Sequence, residues 1–239
     1  MKKYIWNDKE YNFEKIKKII KPKIYQKALC GNRMGCAYNL IKWDKVNSIL
    51  DIGCETGKFL NYVRHFHENI ELFGVDCNGN SIEIAKDVFD SQNISFSQIE
   101  CDNRLPYNDN SFELITFFEV LEHVRCIEGF LTEVIRVLKD NGKICLSVPN
   151  ALWWRNSLKH MLINKKRYAN KMEKWPSFAP DQRDHVNSYD FIILYRILNL
   201  NGFKLIDYRY SDNKYTFLNK FKFTESLCSN MILYLELEK

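Results

Sequence analysis

The sequence predicts an α/β protein, a doubly wound and mainly parallel sheet with helices on both faces, and three observations predict it. From residue 48 onward, short runs of strand character alternate with stretches of helical periodicity, the pattern of strands joined by helical crossovers. The first run, SILDI, empties into a turn with two glycines, GCETG, before the helical pattern begins. Acids then recur where successive strands end, at Asp51, Asp76 and Asp102. Open sheets of this kind bind ligands outside the carboxyl ends of their strands, so the features that predict the fold also say where chemistry belongs.

Along the chain, residues 1–45 read as helices preceding the core, divided at Pro22, and residues 46–239 as the main domain. Strands are expected at 48–52 (SILDI), 71–75 (ELFGV), 94–99 (ISFSQI), 112–118 (FELITFF) and 143–148 (KICLSV). Helical patterns lie near 57–67, 79–90 and 127–139, the last stopped by Asn141-Gly142. Residues 150–187 fit no element: aromatic, basic and interrupted by Pro176 and Pro180, they suggest a lid or acceptor-binding insert. A helix over 188–200, a strand over 203–210 and another strand within 215–236 complete the pattern.

With 239 residues and 46% hydrophobic content, the chain suffices for one large domain. No run approaches the ~18 apolar residues of a membrane span, and the opening MKKYIWNDKEYNFEK is charged where a signal peptide needs an apolar centre, so a cytoplasmic protein is expected. Eight scattered cysteines without a C-x-x-C suit reduced thiols and give no metal-ligand spacing, and no metal is expected. Residues 1–27 and 155–174 each carry a surplus of six positive charges, which leaves the remainder at −7 within a net +5. Two basic segments flanking an acidic body would attract an anionic partner, although solvated helix faces carry the same charges.

The turn after the first strand excludes two familiar phosphate loops. A P-loop needs five residues from glycine to glycine and a hydroxyl after its lysine; here Gly53 and Gly57 are one residue too close, and Lys58 precedes Phe59. A dinucleotide fingerprint needs glycines where Glu55 and Lys58 stand. What is left is acid-x-Gly-x-x-x-Gly, which offers Asp51 to a ligand with a cationic amino acid end, or is an ordinary strand-to-helix turn. Asp76 has acceptors for two ribose hydroxyls, and Asp102 suits an adenine amino group. Any one of these acids alone would pass for a turn residue or cap; three at successive strand ends would not.

Taken together, ILDIGCETG, FGVDCN, IECDNRLPYNDNSFELI, FFEVLEHV and LTEVIRVLKDNGKICLSVPN resemble, in order and at normal spacing, the motifs of the class I S-adenosylmethionine-dependent methyltransferases. The likeness covers about residues 45–150 and is to the branch with ubiquinone-biosynthesis-type and small-molecule methyltransferases. It implies a Rossmann-like sheet of seven strands, N-terminal helices over the cofactor site, an insert after the fifth strand, S-adenosyl-L-methionine as cofactor and S-adenosyl-L-homocysteine as product. It further implies that Gly53 and Gly57 shape the loop around the methionine portion, with Cys54, Glu55 and Cys77 in the same loops. Asp76 would hold the ribose, Asp102 and Asn103 the adenine edge, Phe118 would pack near the ligand, and Arg33 would reach the methionine carboxylate. Glu55 departs from the family's middle glycine, so its side chain must point away from the ligand or meet its amino group.

Methyl transfer from a sulfonium requires alignment, exclusion of water and, for a hydroxyl acceptor, removal of a proton. His185, between the insert and the following helix, is the candidate base, with His123 a weaker one; either is also at home as a packed or surface histidine. Arg183, Lys165, Lys166 and Arg167 are candidates for binding an anionic acceptor. The expected reaction is O-methylation of a small polar or phosphorylated metabolite or sugar precursor. An RNA-modifying enzyme and a non-catalytic cofactor-binding relative are the alternatives; the absence of a separate RNA-binding module argues against nucleic acid. Nothing in the pattern specifies an oligomeric state.

Overall fold

The computed structural model describes residues 3–6, 9–12, 14, 33–100, 104–155, 158, 162, 166, 185–211 and 225–238. Lys3–Trp6 (β1) and Lys9–Asn12 (β2) pair antiparallel, with Tyr4 opposite Tyr11, so these residues form a hairpin where the sequence suggested helix. The expected N-terminal helix is present at Arg33–Leu40 (α1).

The main sheet contains Ser48–Ile52 (β3), Glu71–Asp76 (β4), Ile94–Gln98 (β5), Phe112–Phe118 (β6), Leu138–Pro149 (β7), Phe203–Ser211 (β8) and Asn230–Leu237 (β9). Its order is β5-β4-β3-β6-β7-β9-β8, the first five strands in that order parallel and β9 antiparallel to both its neighbours. Helices Lys58–Phe66 (α2), Gly79–Phe89 (α3), Ile127–Val137 (α4) and Phe191–Leu200 (α5) make up the two covering layers with α1. The winding reverses between β3 and β6, and this opens a crevice at their carboxyl ends.

Alternation along the strands divides the core in two. Ile49, Leu114 and Cys145 pack with Ala37, Phe59, Leu60 and Ile84 on one face, while Leu50, Ile115, Ile144 and Leu146 pack with Leu131, Val134, Leu194 and Leu198 on the other. Burial on both faces is why SILDI and FELITFF are nearly continuous apolar runs.

Two boundaries differ from expectation. Helix α4 ends at Val137, and Asn141-Gly142 does not stop it; β7 is already paired at Leu138, and the residues before Lys143 form an irregularity in its register with β6, with Asn141 at φ +57. Helix α5 begins at Phe191 because Tyr189 bridges to Asn150 and Asp190 caps the helix, accepting from Ile193 N–H at 2.9 Å. Most of the expected insert, 150–187, lies outside the described residues. Among the described residues no helix is long and apolar enough to cross a membrane.

Candidate active site

The β3–α2 turn takes its shape from positive φ at three positions, Gly53 (+73), Glu55 (+51) and Gly57 (+74). The N–H groups of Gly53 and Cys54 both donate to Val75 O, at 2.8 and 3.0 Å, which ties the turn to the end of β4. A Cβ on Gly53 would come within 2.5 Å of Val120 Cγ2, and one on Gly57 within 2.5 Å of Phe96 Cζ. Asp76 receives the Glu55 N–H on Oδ2 and the Asn78 N–H on Oδ1, each at 2.8 Å. The Glu55 carboxylate turns toward Lys58 Nζ, 3.4 Å away.

Above this turn lies a cavity of about 720 Å³. Its wall brings together Arg33, Asp51, Gly53, Cys54, Glu55, Asp76, Cys77, Phe118 and His123, all singled out in the sequence. Gly57 shapes the turn without lining the cavity, and Asp102 and Asn103 lie outside the described residues. Apolar surface comes from Met34, Ile99, Leu105, Val120 and Phe130, and Phe118 is held edge-on against Phe59 with ring centres 4.8 Å apart.

Among the described residues the electrostatics of the wall are one-sided: six acids (Asp51, Glu55, Asp76, Glu100, Glu119, Glu133) line it with two arginines (Arg33, Arg104). Burial pushes the Asp51 carboxyl up to about 7, although Thr116 Oγ1 donates to it at 2.7 Å. Burial also raises Asp76, against the backbone N–H groups it accepts, and raises Glu119 against the Arg33 guanidinium 3.6 Å away. A cavity holding reluctant carboxylates at neutral pH favours a ligand that brings positive charge.

Beside it is a smaller pocket, about 200 Å³, lined by His185 together with Glu122, Asn150 and Tyr189. The His123 and His185 rings meet edge to face, 4.7 Å between centres, so the two base candidates stand where the large and small pockets adjoin. Glu122 was not anticipated. Its side chain is 1% exposed, neither carboxylate oxygen has a hydrogen-bond partner among the described residues, and burial, with the neighbouring Glu119, pushes it up to about 8. One ligand atom each from Glu122, His123 and His185 lies within 4.8 Å of the others, a donor set able to hold a divalent cation. The one sequence hint was the pair Glu119 and Glu122, an unbalanced i, i+3 pair of acids in EVLEH. Of the acceptor-binding candidates, Lys165, Arg167 and Arg183 fall outside the described residues; Lys166 has helical backbone and is exposed, and it lines neither pocket.

Comparison with known proteins agrees with this geometry. The family described as "Methyltransferase domain" matches residues 23–208. A ubiquinone/menaquinone biosynthesis C-methyltransferase UbiE from Desulfotalea psychrophila is 36% identical over 99 residues, 41% of this chain and 40% of that protein. Norajmaline N-methyltransferase from Rauvolfia serpentina is 31% identical over 111 residues, 43% of this chain and 36% of that protein. The chain thus spans about two fifths of the length of these curated relatives. A SAM-dependent methyltransferase structure from Aquifex aeolicus shares the fold at TM-score 0.59 and 14% identity, over 95% of this chain and 99% of that one.

Proposed function

The chain belongs to the methyltransferase-domain family, and on that premise we propose that it transfers a methyl group from S-adenosylmethionine to an oxygen of a small polar or phosphorylated acceptor. The observation that carries this reading is the acidic cavity at the β3/β6 crevice, with Asp51 and Asp76 at the ends of adjacent strands. Bound S-adenosylmethionine supplies a methyl group on a positively charged sulfur that leaves as a neutral thioether. Asp51 meets the cationic amino group, and Arg33 the carboxylate. Asp76, oriented by the Glu55 and Asn78 N–H groups, accepts from the ribose hydroxyls. Phe118 and Phe130 exclude water. As the acceptor oxygen bonds to the methyl carbon, its proton passes to His185 or His123.

The two curated relatives carry the names of carbon and nitrogen methyltransferases. The oxygen reading rests instead on the two histidines, since a hydroxyl acceptor must lose a proton. Their proximity to Glu122 supports a second role for the same groups, as ligands of a divalent cation that binds the acceptor oxygens. Chelation separates the roles: turnover that survives EDTA leaves the histidines as proton acceptors, and turnover lost to EDTA and restored by added metal makes them ligands.

Calorimetry tests the cofactor. S-adenosylmethionine and S-adenosylhomocysteine should both bind, and Asp76→Ala should weaken each by about 2–3 kcal/mol, because two hydroxyls lose a charged acceptor. Binding of NAD or ATP with neither sulfur nucleotide would overturn the proposal.

A further inference from the structure

The turn that follows β6 carries two carboxylates, Glu119 and Glu122, one lining each pocket. Glu119 stands at φ +57, a conformation costly for a non-glycine residue, and its N–H donates to Ser147 O at 2.8 Å. In the large cavity its Oε1 accepts from Ser147 Oγ at 3.1 Å, and its Oε2 lies 3.6 Å from Arg33 Nη1. That pair is loose: the distance exceeds that of a good charged hydrogen bond, and Arg33 Nε is buried with no hydrogen-bond partner among the described residues. Both Glu122 oxygens are likewise buried and unpartnered among the described residues. Burial raises the Glu119 carboxyl, and Arg33, Ser147 and His123 pull it back down; Glu122 is raised by burial and then by the charge of Glu119. Glu119 is thus in electrostatic reach of Arg33 on the cofactor side and of Glu122 and His123 on the other.

A buried carboxylate without a partner is costly, and the groups beside Glu122 supply what a divalent cation needs. One ligand atom each from Glu122, His123 and His185 lies within 4.8 Å of the others. Hydrogen bonds fix the arrangement: Val186 and Asn187 N–H donate to Glu122 O at 2.8 and 3.1 Å, and Asn187 Nδ2 donates to Val124 O at 2.7 Å, which holds His185 over the turn. Two imidazoles and one carboxylate suit Mn²⁺, Co²⁺ or Zn²⁺ better than Mg²⁺, which prefers oxygen ligands. We propose that these three groups bind such a cation and that the cation and the cofactor bind cooperatively, with Glu119 coupling the two sites. The proposal rests on the methyltransferase reading and takes the second of the two roles given to the histidines. When the methionine carboxylate of the cofactor draws on Arg33, Glu119 loses its counter-charge beside Glu122, and a cation at the neighbouring site restores it. By linkage, each ligand then tightens the other by the same factor.

The test uses the full chain, stripped of metal with EDTA and dialysed, with Co²⁺ as the cation because its visible absorption reports imidazole ligation. S-adenosylhomocysteine is the nucleotide, since it has no methyl group to transfer. Calorimetry and absorbance should show Co²⁺ bound about fivefold or more tighter when S-adenosylhomocysteine is saturating, and S-adenosylhomocysteine tightened by the same factor when Co²⁺ is. Glu122→Gln should abolish Co²⁺ binding, with S-adenosylhomocysteine still bound but indifferent to Co²⁺. Glu119→Gln should still bind each ligand, with the coupling reduced to about twofold or less. A merely structural Glu119 would weaken the two ligands without altering their coupling. No Co²⁺ binding, Co²⁺ binding that Glu122→Gln leaves intact, equal Co²⁺ affinity with and without S-adenosylhomocysteine, or full coupling in Glu119→Gln would each overturn the proposal. A chain that binds neither sulfur nucleotide would overturn the methyltransferase reading with it, whereas S-adenosylhomocysteine bound without coupling overturns this proposal alone.

Discussion

Glu55 occupies a left-handed backbone conformation that costs a non-glycine residue about 1–2 kcal/mol. The turn needs it there, since its N–H is one of the two that orient Asp76. Its carboxylate is 44% exposed and reaches Lys58 only at 3.4 Å, a contact that returns little. Glu55→Gly should therefore stabilise the protein by up to about 1 kcal/mol, the strain relieved less the glycine's added chain entropy, as read by denaturant unfolding. Gly57→Ala should do the opposite by about 2 kcal/mol or more, since positive φ and the Phe96 ring both oppose a side chain there. Asp51 carries a prediction about ligand rather than fold. Because its carboxyl takes up a proton near 7, S-adenosylmethionine affinity should fall as pH is lowered through that value, and Asp51→Asn should bind weakly with that dependence gone.

At the scale of elements, the stretch after β5 is pinned to α4 by the Arg136 and Glu133 side chains. Arg136 donates to Glu133 and Asp109 and to the carbonyls of Tyr107 and Leu105, at 2.7 to 3.0 Å, and Glu133 in turn accepts from Leu105 N–H at 2.9 Å. Lysine lacks the planar fork this needs. Arg136→Lys should speed amide exchange across 104–110 about tenfold and weaken cofactor binding, because Arg104, Leu105 and Glu133 line the cavity, while β3 and β6 exchange as before. Unchanged exchange in that loop would contradict the account. The same scale shows what the sequence made legible. Strands β3 and β6 were readable to the residue because both their faces are buried. The onset of β7 was not, because Lys139–Gly142 has turn composition although it sits inside a paired strand. Of the acids read at strand ends, Asp51 and Asp76 line the cavity, and Asp102 lies outside the described residues. Glu122 stayed hidden because its importance depends on a distant return of the chain, where Val186 and Asn187 N–H both donate to its carbonyl and set His185 beside its carboxylate.

For the whole molecule, the cavity carboxylates link stability to pH. Asp51, held up to about 7, and Glu122, up to about 8, keep protons in the folded chain that the unfolded chain has already lost at the same pH. Stability without ligand should therefore fall as pH rises from about 4 to about 8, and the melting temperature should rise when pH is lowered from 8 to 6. Saturating S-adenosylmethionine should flatten that slope, because its positive charge favours ionised Asp51. A melting temperature without ligand that climbs with pH over this range would mean these acids are already ionised and paired. Another property of the whole molecule follows from where β9 sits. It runs between β7 and β8, pairing Lys143 with Glu236 on one side and Phe203 with Leu237 on the other. On the ribosome, β3 through β7 and the cofactor turn emerge well before it, while β8 has no neighbour to join until β9 arrives. The nascent chain thus waits with β7 as an open apolar edge, and that interval is when a chaperone has the most to shield.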